Sequence, residues 1–177
     1  MNYHPRLLKV ATTIAITMTA WLPNLATSLV LKNAPAEVYF SPHGGCQEAI
    51  VDVIANARRS ILVQAYSFTS APIAEALKRA HDQGVIVKVI LDRSQKSTHY
   101  NGLTYLQHAG IPVRIDYRHA IAHNKVMIID NDTVITGSFN FTKSAERNNA
   151  ENVIIIKDFQ LAQIYTDNWQ LHQRHSE

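Results

Sequence analysis

Cysteine is almost missing from this chain of 177 residues: Cys46 stands alone. A lone thiol closes no intrachain disulfide, so stability has to come from a packed core. Cys46 also lies well beyond the N-terminal apolar segment, which removes a lipid-attachment reading and leaves a small apolar residue, buried or partly so. Glycine and proline are sparse, six of each, and nowhere gather into a linker. No internal repeat or low-complexity tract is present. Charged residues make up 18% against 46% apolar, which excludes a disordered chain. An HExxH pair is absent, as is any Cys/His cluster along the sequence, so no metal site and no cofactor are expected.

Acid is missing from the N-terminal segment altogether. Arg6 and Lys9 precede an apolar stretch over residues 10–22, followed by Pro23 and the small residues Ala26, Thr27 and Ser28. This is the layout of a secretory signal peptide. The stretch is shorter than the roughly 20 residues of a membrane span; an uncleaved anchor is the alternative. The expectation is a leader over residues 1–28, export to the periplasm or the medium, and one domain over residues 29–177. Without Arg6 and Lys9 the 17 basic residues fall to 15, against 14 acidic ones. Overall charge then offers little attraction for nucleic acid, and any affinity for phosphate has to be local.

The rest of the chain alternates two periodicities. Residues 37–40, 60–67, 85–91 and 112–117 carry strand formers. Between them, residues 47–59, 70–83 and 100–109 have helical spacing, with Pro72 in a first turn and Gly84 and Gly110 at stops. Such alternation predicts parallel strands covered by helices. The last third differs: strands at 124–129 and 133–136 flank the turn Asp130-Asn131-Asp132, a strand follows at 153–157, and residues 159–172 form a final helix. The predicted fold class is α/β, a mixed, largely parallel β-sheet flanked by helices on both faces. Arg58 and Arg59 fall at a helix end, where cations complement the dipole. Arg114, Arg118 and His119 are candidates for substrate contacts outside the pocket. Tyr66 and Phe68 are expected to pack in the core.

The chemistry concentrates between residues 123 and 151. In a strand, His123 and Lys125 project to one face, while Asp130 has the opposite parity and falls at the turn. Ser138 and Asn140 share a face if their strand continues. An imidazole can attack or donate a proton near neutral pH. A fixed ammonium offsets charge on non-bridging phosphate oxygens. Ser138 and Asn140 can donate hydrogen bonds to the same oxygens. Glu151 can hold the other imidazole nitrogen and fix its tautomer. This is the equipment of phosphodiester hydrolysis.

His123-x-Lys125-x4-Asp130, followed by the run Gly137-Ser-Phe-Asn-Phe-Thr142 and by Asn149-Ala-Glu151, resembles the HKD signature of the phospholipase D superfamily. The domain as a whole is similar to that superfamily's small single-motif bacterial endonucleases, most closely over residues 65–69 and 122–152. The resemblance implies the phospholipase D/nuclease-like fold. It implies that His123 is the nucleophile of a phosphohistidine intermediate and that Lys125, Ser138 and Asn140 bind phosphate. It implies further that Glu151 positions the histidine and that no metal is required. Asp130, by its parity, is read as structural. Family members need two HKD motifs per site, and no other histidine here is followed two residues later by lysine. A two-fold homodimer is therefore expected, with the motif in the interface. The expected activity is a metal-independent, non-specific endonuclease acting on DNA, with RNA as a second candidate. The alternative is a phospholipase D-type hydrolase of phospholipid or cardiolipin, which an exposed apolar rim beside the site would favour. A non-catalytic nucleic-acid binder is the reading from a different class.

Overall fold

The computed structural model describes residues 27–96 and 102–177. The expected leader falls outside them except for its last two residues, as does the start of the helix expected from residue 100. Among the described residues no helix is long and apolar enough to cross a membrane.

The first half follows the alternating pattern: β1 (Ala36–Ser41), α1 (Cys46–Ala55), β2 (Ser60–Ala65), α2 (Ala71–Asp82), β3 (Ile86–Asp92), a 3-10 turn (Arg93–Lys96), α3 (Gly102–His108) and β4 (Val113–Asp116). The second half adds β5 (Lys125–Ile129), β6 (Thr133–Gly137), α4 (Lys143–Arg147), β7 (Glu151–Lys157) and α5 (Phe159–His175). Caps explain several boundaries. Ser70 accepts from the Ile73 N–H at the start of α2, Thr142 from Ala145 at α4, and Asp158 from Leu161 at α5. The first helix ends earlier than its spacing suggested. Beyond Ala55 the backbone N–H groups of Arg58, Arg59 and Ser60 turn to the Asp130 carboxylate at 2.8, 2.6 and 2.9 Å, so Arg58 and Arg59 lie outside the helix.

All seven strands join one sheet in the order β1-β7-β6-β5-β2-β3-β4. The sheet is mixed, as expected, but the parallel share is smaller than the alternation implied. Only β2–β3 and β3–β4 are parallel, while β1–β7, β7–β6, β6–β5 and β5–β2 are antiparallel. For β5 and β6 the reason is local: they are joined by a tight turn, which permits only an antiparallel pair. In that turn Asp130 and Asn131 both have positive φ, 52° and 57°.

Helices cover both faces. On one side α1, α2 and α3 pack with Ile61, Val63, Met127, Ile129, Ile135 and Phe139 in the main core. On the other, α5 sets Ala162 and Trp169 against Ile90, Val126, Ile128 and Val134. The Trp169 indole donates to the Val63 carbonyl at 2.9 Å, satisfying its one polar atom where it is buried. Cys46 is fully buried in the main core, as a small apolar residue would be. α5 does not reach the β1 edge, and Val38 and Phe40 are left 54% and 64% exposed there, opposite Ile154 and Asn152.

Candidate active site

The register brings the residues of chemical interest to one end of the sheet. Ala65 ends β2 opposite Lys125, which opens β5. Leu91 and Asp92 end β3 beside Ile115 and Asp116 at the end of β4. Gly137 ends β6 and pairs with Val153, just inside Glu151 at the start of β7. The carboxyl ends of parallel strands are where α/β folds leave an accessible crevice.

His123 lies in the extended segment before β5, not in the strand, and is exposed. Among the described residues its ring nitrogens make no hydrogen bond. Its ring packs tilted against Tyr66 at 4.6 Å between centroids. Lys125 is 7% exposed; its ammonium donates to the His123 carbonyl at 2.9 Å and stands 5.2 Å from the centroid of the same Tyr66 ring. Tyr66 is thus the common neighbour of imidazole and ammonium, held in place by its own N–H on the Asn124 carbonyl at 2.9 Å. It was expected in the core. Phe68, two residues on, does pack there, fully buried against Phe141. Burial pushes the Lys125 pKa down, and the Glu151 charge acts in the opposite direction.

Glu151 shares a sheet face with Val153, and continuing the β5–β6 register places Gly137 between Val153 and Lys125. The absent side chain at Gly137 leaves the two charges in view of each other. The expected hydrogen bond between His123 and Glu151 is not made within one chain; β6 lies between β7 and the segment that leads into β5. Glu151 accepts instead from the Asn149 amide at 3.1 Å. Ser138 is exposed, and its hydroxyl oxygen accepts from the Asn152 backbone N–H at 3.0 Å and side-chain amide at 3.2 Å. β6 stops at Gly137, yet burial keeps alternating. Phe139 and Phe141 are buried in the core, while Ser138 is exposed and Asn140 half-buried. The Asn140 amide oxygen is buried without a hydrogen-bond partner, so the fold does not consume this side chain.

Asp130 is at the other end of β5. Its carboxylate takes the three N–H groups of Arg58, Arg59 and Ser60 at the entry to β2, and its backbone carbonyl accepts from the Arg59 guanidinium. Burial alone would raise its pKa; the three backbone hydrogen bonds and the Arg59 charge outweigh it, and the pKa is lowered.

The loop from β4 to His123 is fixed by buried acids. Asp92, 2% exposed, accepts the Ser94 N–H at 2.9 Å and the Ala122 N–H, next to His123, at 2.7 Å. Asp116, fully buried, accepts the N–H groups of Arg118 and His119 on one oxygen and faces the rings of His119, His172 and His175 with the other. The absence of a histidine cluster, expected from linear spacing, is therefore corrected. The last turn of α5 packs beside β4 and brings together residues far apart in sequence. Arg114 and His119, candidates for substrate contact, are engaged elsewhere: Arg114 donates to the Ser176 carbonyl at 2.8 Å and His119 faces Asp116. The paired spacings Asp116-x2-His119 and His172-x2-His175 were the available signal.

Against known proteins, residues 50–171 match the family described as cardiolipin synthase, PLD-like domain. The phospholipase D of Rickettsia bellii is 48% identical over 139 residues, 78% of this chain and 69% of its own length. The mitochondrial cardiolipin hydrolase of Canis lupus familiaris is 30% identical over 150 residues, 79% of this chain and 59% of its own. Among solved structures, Nuc from Salmonella typhimurium, a phospholipase D family member, superposes with a TM-score of 0.78 at 37% identity, covering 81% of this chain and 97% of Nuc. NucT from Helicobacter pylori shares the fold, with a TM-score of 0.75 at 24% identity, covering 81% and 98% of the two chains.

Proposed function

The chain belongs to the phospholipase D superfamily and is a phosphodiesterase, and from that premise we propose that it cleaves nucleic acid phosphodiesters through a phosphohistidine on His123. The observation that carries this reading is the exposed His123 imidazole, without a hydrogen-bond partner among the described residues, beside the buried Lys125 ammonium, both against the Tyr66 ring. His123 attacks phosphorus in line with the leaving oxygen. A second imidazole, His123 of a partner subunit, gives that oxygen its proton. Water then attacks the phosphohistidine, the second imidazole takes the water's proton, and two inversions give net retention. Lys125 holds the non-bridging oxygens. Ser138 joins it: its oxygen already accepts from Asn152, which leaves its hydrogen for phosphate. Asn140 offers its amide. Glu151 orients an imidazole once the second subunit completes the site; catalytic hydrogen bonds are often open before substrate binds.

The homodimer rests on the single motif and on the uncovered apolar pair Val38 and Phe40 next to Asn152. Export by the leader over residues 1–28 belongs to the same proposal. DNA is the leading substrate because the chain resembles the small single-motif endonucleases; RNA offers the same reactive group. One observation favours the lipid reading: Ile121, two residues before His123, is 58% exposed and supplies an apolar rim. The similarity to proteins named phospholipase D and cardiolipin hydrolase points the same way.

The test pairs the protein lacking residues 1–28 with its His123→Ala variant on supercoiled plasmid and on cardiolipin vesicles, in excess EDTA. Circular dichroism must show both proteins folded. Plasmid nicking by the first alone supports the nuclease. Vesicle hydrolysis without nicking moves the assignment to lipid. Equal activity in the variant removes His123 from the mechanism.

A further inference from the structure

Asp116 and three histidines form a constellation that phosphodiester chemistry does not use. One ligand atom from each of Asp116, His119, His172 and His175 lies within 4.8 Å of all the others. The His119 Nδ1, His172 Nδ1 and His175 Nε2 atoms are 2.9, 3.0 and 3.4 Å from a single oxygen, Asp116 Oδ2. The ring planes are inclined to one another by 34°, 55° and 60°, fanned about that point instead of stacked. The other carboxylate oxygen is occupied by the backbone N–H groups of Arg118 and His119 at 3.0 and 3.3 Å. Those bonds set the carboxylate so that Oδ2 faces the rings, the kind of outer-shell support that orients a ligating carboxylate.

We propose that Asp116, His119, His172 and His175 bind one divalent ion of the zinc class, tying the loop that leads to His123 to the last turn of α5. Charge points this way. Asp116 is fully buried, and among the described residues its ion-pair partners are imidazoles alone. Arg114 is engaged with the Ser176 carbonyl, and Arg118 meets Asp116 through its backbone. Hydrogen bonds from backbone and imidazole N–H groups support the buried carboxylate but bring no fixed positive charge, and a divalent ion supplies one. Ligand chemistry points the same way. Three imidazoles and one carboxylate make a nitrogen-rich set suited to zinc and its neighbours, and unlike the oxygen cages of calcium or magnesium. Four protein ligands also close a tetrahedron and leave no open position, which marks a structural ion.

The geometry needs only modest contraction. With bonds of about 2.0–2.1 Å, tetrahedral ligand atoms sit roughly 3.3 Å apart. His172 and His175 are mostly buried and lie three residues apart on α5, on one side of the helix. His119 is more exposed, so its rotation closes the set and its side of the cluster is the route of entry. The site is also removed from the reaction. Asp116 and Lys125 lie on strands separated by β3 and β2, about 14 Å at ordinary strand spacing. The ion therefore acts on loop 117–124 and not on the scissile phosphate, and its existence does not depend on the activity proposed above.

The experiment is a metal titration of the full chain without substrate. Protein freed of metal by chelator and dialysis is titrated with zinc, and bound metal per chain is read by mass spectrometry. Cobalt is titrated in parallel, with its visible absorption recorded. The expected result is one ion per chain and the intense 500–650 nm bands of tetrahedral cobalt. His172→Ala and His175→Ala should each weaken zinc binding by about a hundredfold or more. His108→Ala, outside the cluster, should bind as wild type. Absence of stoichiometric binding to folded wild-type protein overturns the proposal. So does a weak octahedral cobalt spectrum, or binding unchanged in the two α5 variants. Wild type alone decides the first two outcomes, so variants that fail to fold do not rescue the idea.

Discussion

Lys125 and Asp130 lie five residues apart in one motif and do opposite work. Lys125 carries its charge into a nearly closed setting, where burial lowers its pKa and Glu151 gives partial compensation. That charge is placed at a cost to stability and is useful only when an anion arrives. Lys125→Met should therefore lower kcat/KM by about 10²–10³, the scale of losing one preorganised charge, while Tm stays level or rises. Steady-state kinetics beside calorimetry reads both, and a Tm drop of several degrees would contradict the account. With Lys125 binding phosphate as proposed, the active form is the protonated one. Activity of the wild type should then fail as pH rises through a value below the ordinary lysine range. Asp130 should behave in reverse. Its folded pKa is lowered, so its contribution is complete above the unfolded carboxylate value near 3.9 and disappears as pH falls through the folded one. In Asp130→Asn an amide N–H₂ replaces one acceptor oxygen and meets a backbone N–H. The variant should lose about 1–3 kcal/mol at pH 7, and the difference should shrink as pH falls below the ordinary carboxylate range. Urea unfolding across that range measures the convergence.

At the scale of elements, the end of β6 holds the site together through a residue with no side chain. Gly137 has a φ of +147°, and a Cβ there would stand 2.3 Å from the Asn152 carbonyl oxygen. That carbonyl accepts the N–H groups of Ser138 and Phe139, both at 3.2 Å, so displacing it moves Ser138. Gly137→Ala should cost about 1–3 kcal/mol and lower kcat with it. Gly45→Ala, at φ +77° with no atom within 4 Å of the new Cβ, should strain the backbone alone and leave kcat intact. The contrast separates close approach from conformational freedom, and equal effects on kcat would refute it. The same elements show what was legible beforehand. Strands, helices and the turn at Asp130 followed from periodicity and turn chemistry, because those signals are local. Strand direction in the second half was under-read, since alternation of helix and strand describes only the first half. Tyr66 was assigned to the core because strand burial cannot distinguish a core ring from one at a strand's open end. The Asp116 cluster was legible only as two separate pairs, Asp116 with His119 and His172 with His175, because the pairs are neighbours only after α5 returns to the β4 edge.

On the proposed mechanism, the whole molecule presents half of a two-histidine reaction. His123 is exposed, among the described residues it lacks a hydrogen-bonding partner, and Glu151 is oriented by Asn149 instead of by imidazole. A symmetric dimer brings a residue to its own copy only at the two-fold axis. If both imidazoles serve each site, then a dimer with one His123→Ala subunit has lost either its nucleophile or its acid. Wild type and variant, exchanged as subunits to equilibrium in equal amounts, leave about a quarter of the dimers fully wild type. Total activity should fall to about a quarter of that of the same total concentration of wild type, and should follow the square of the wild-type fraction across other ratios. Independently active chains would instead retain about half at equal mixing and follow a straight line. The assay needs exchange to be verified, by mass spectrometry on one isotope-labelled partner. Parabola or line then decides whether the reaction belongs to one chain or to two.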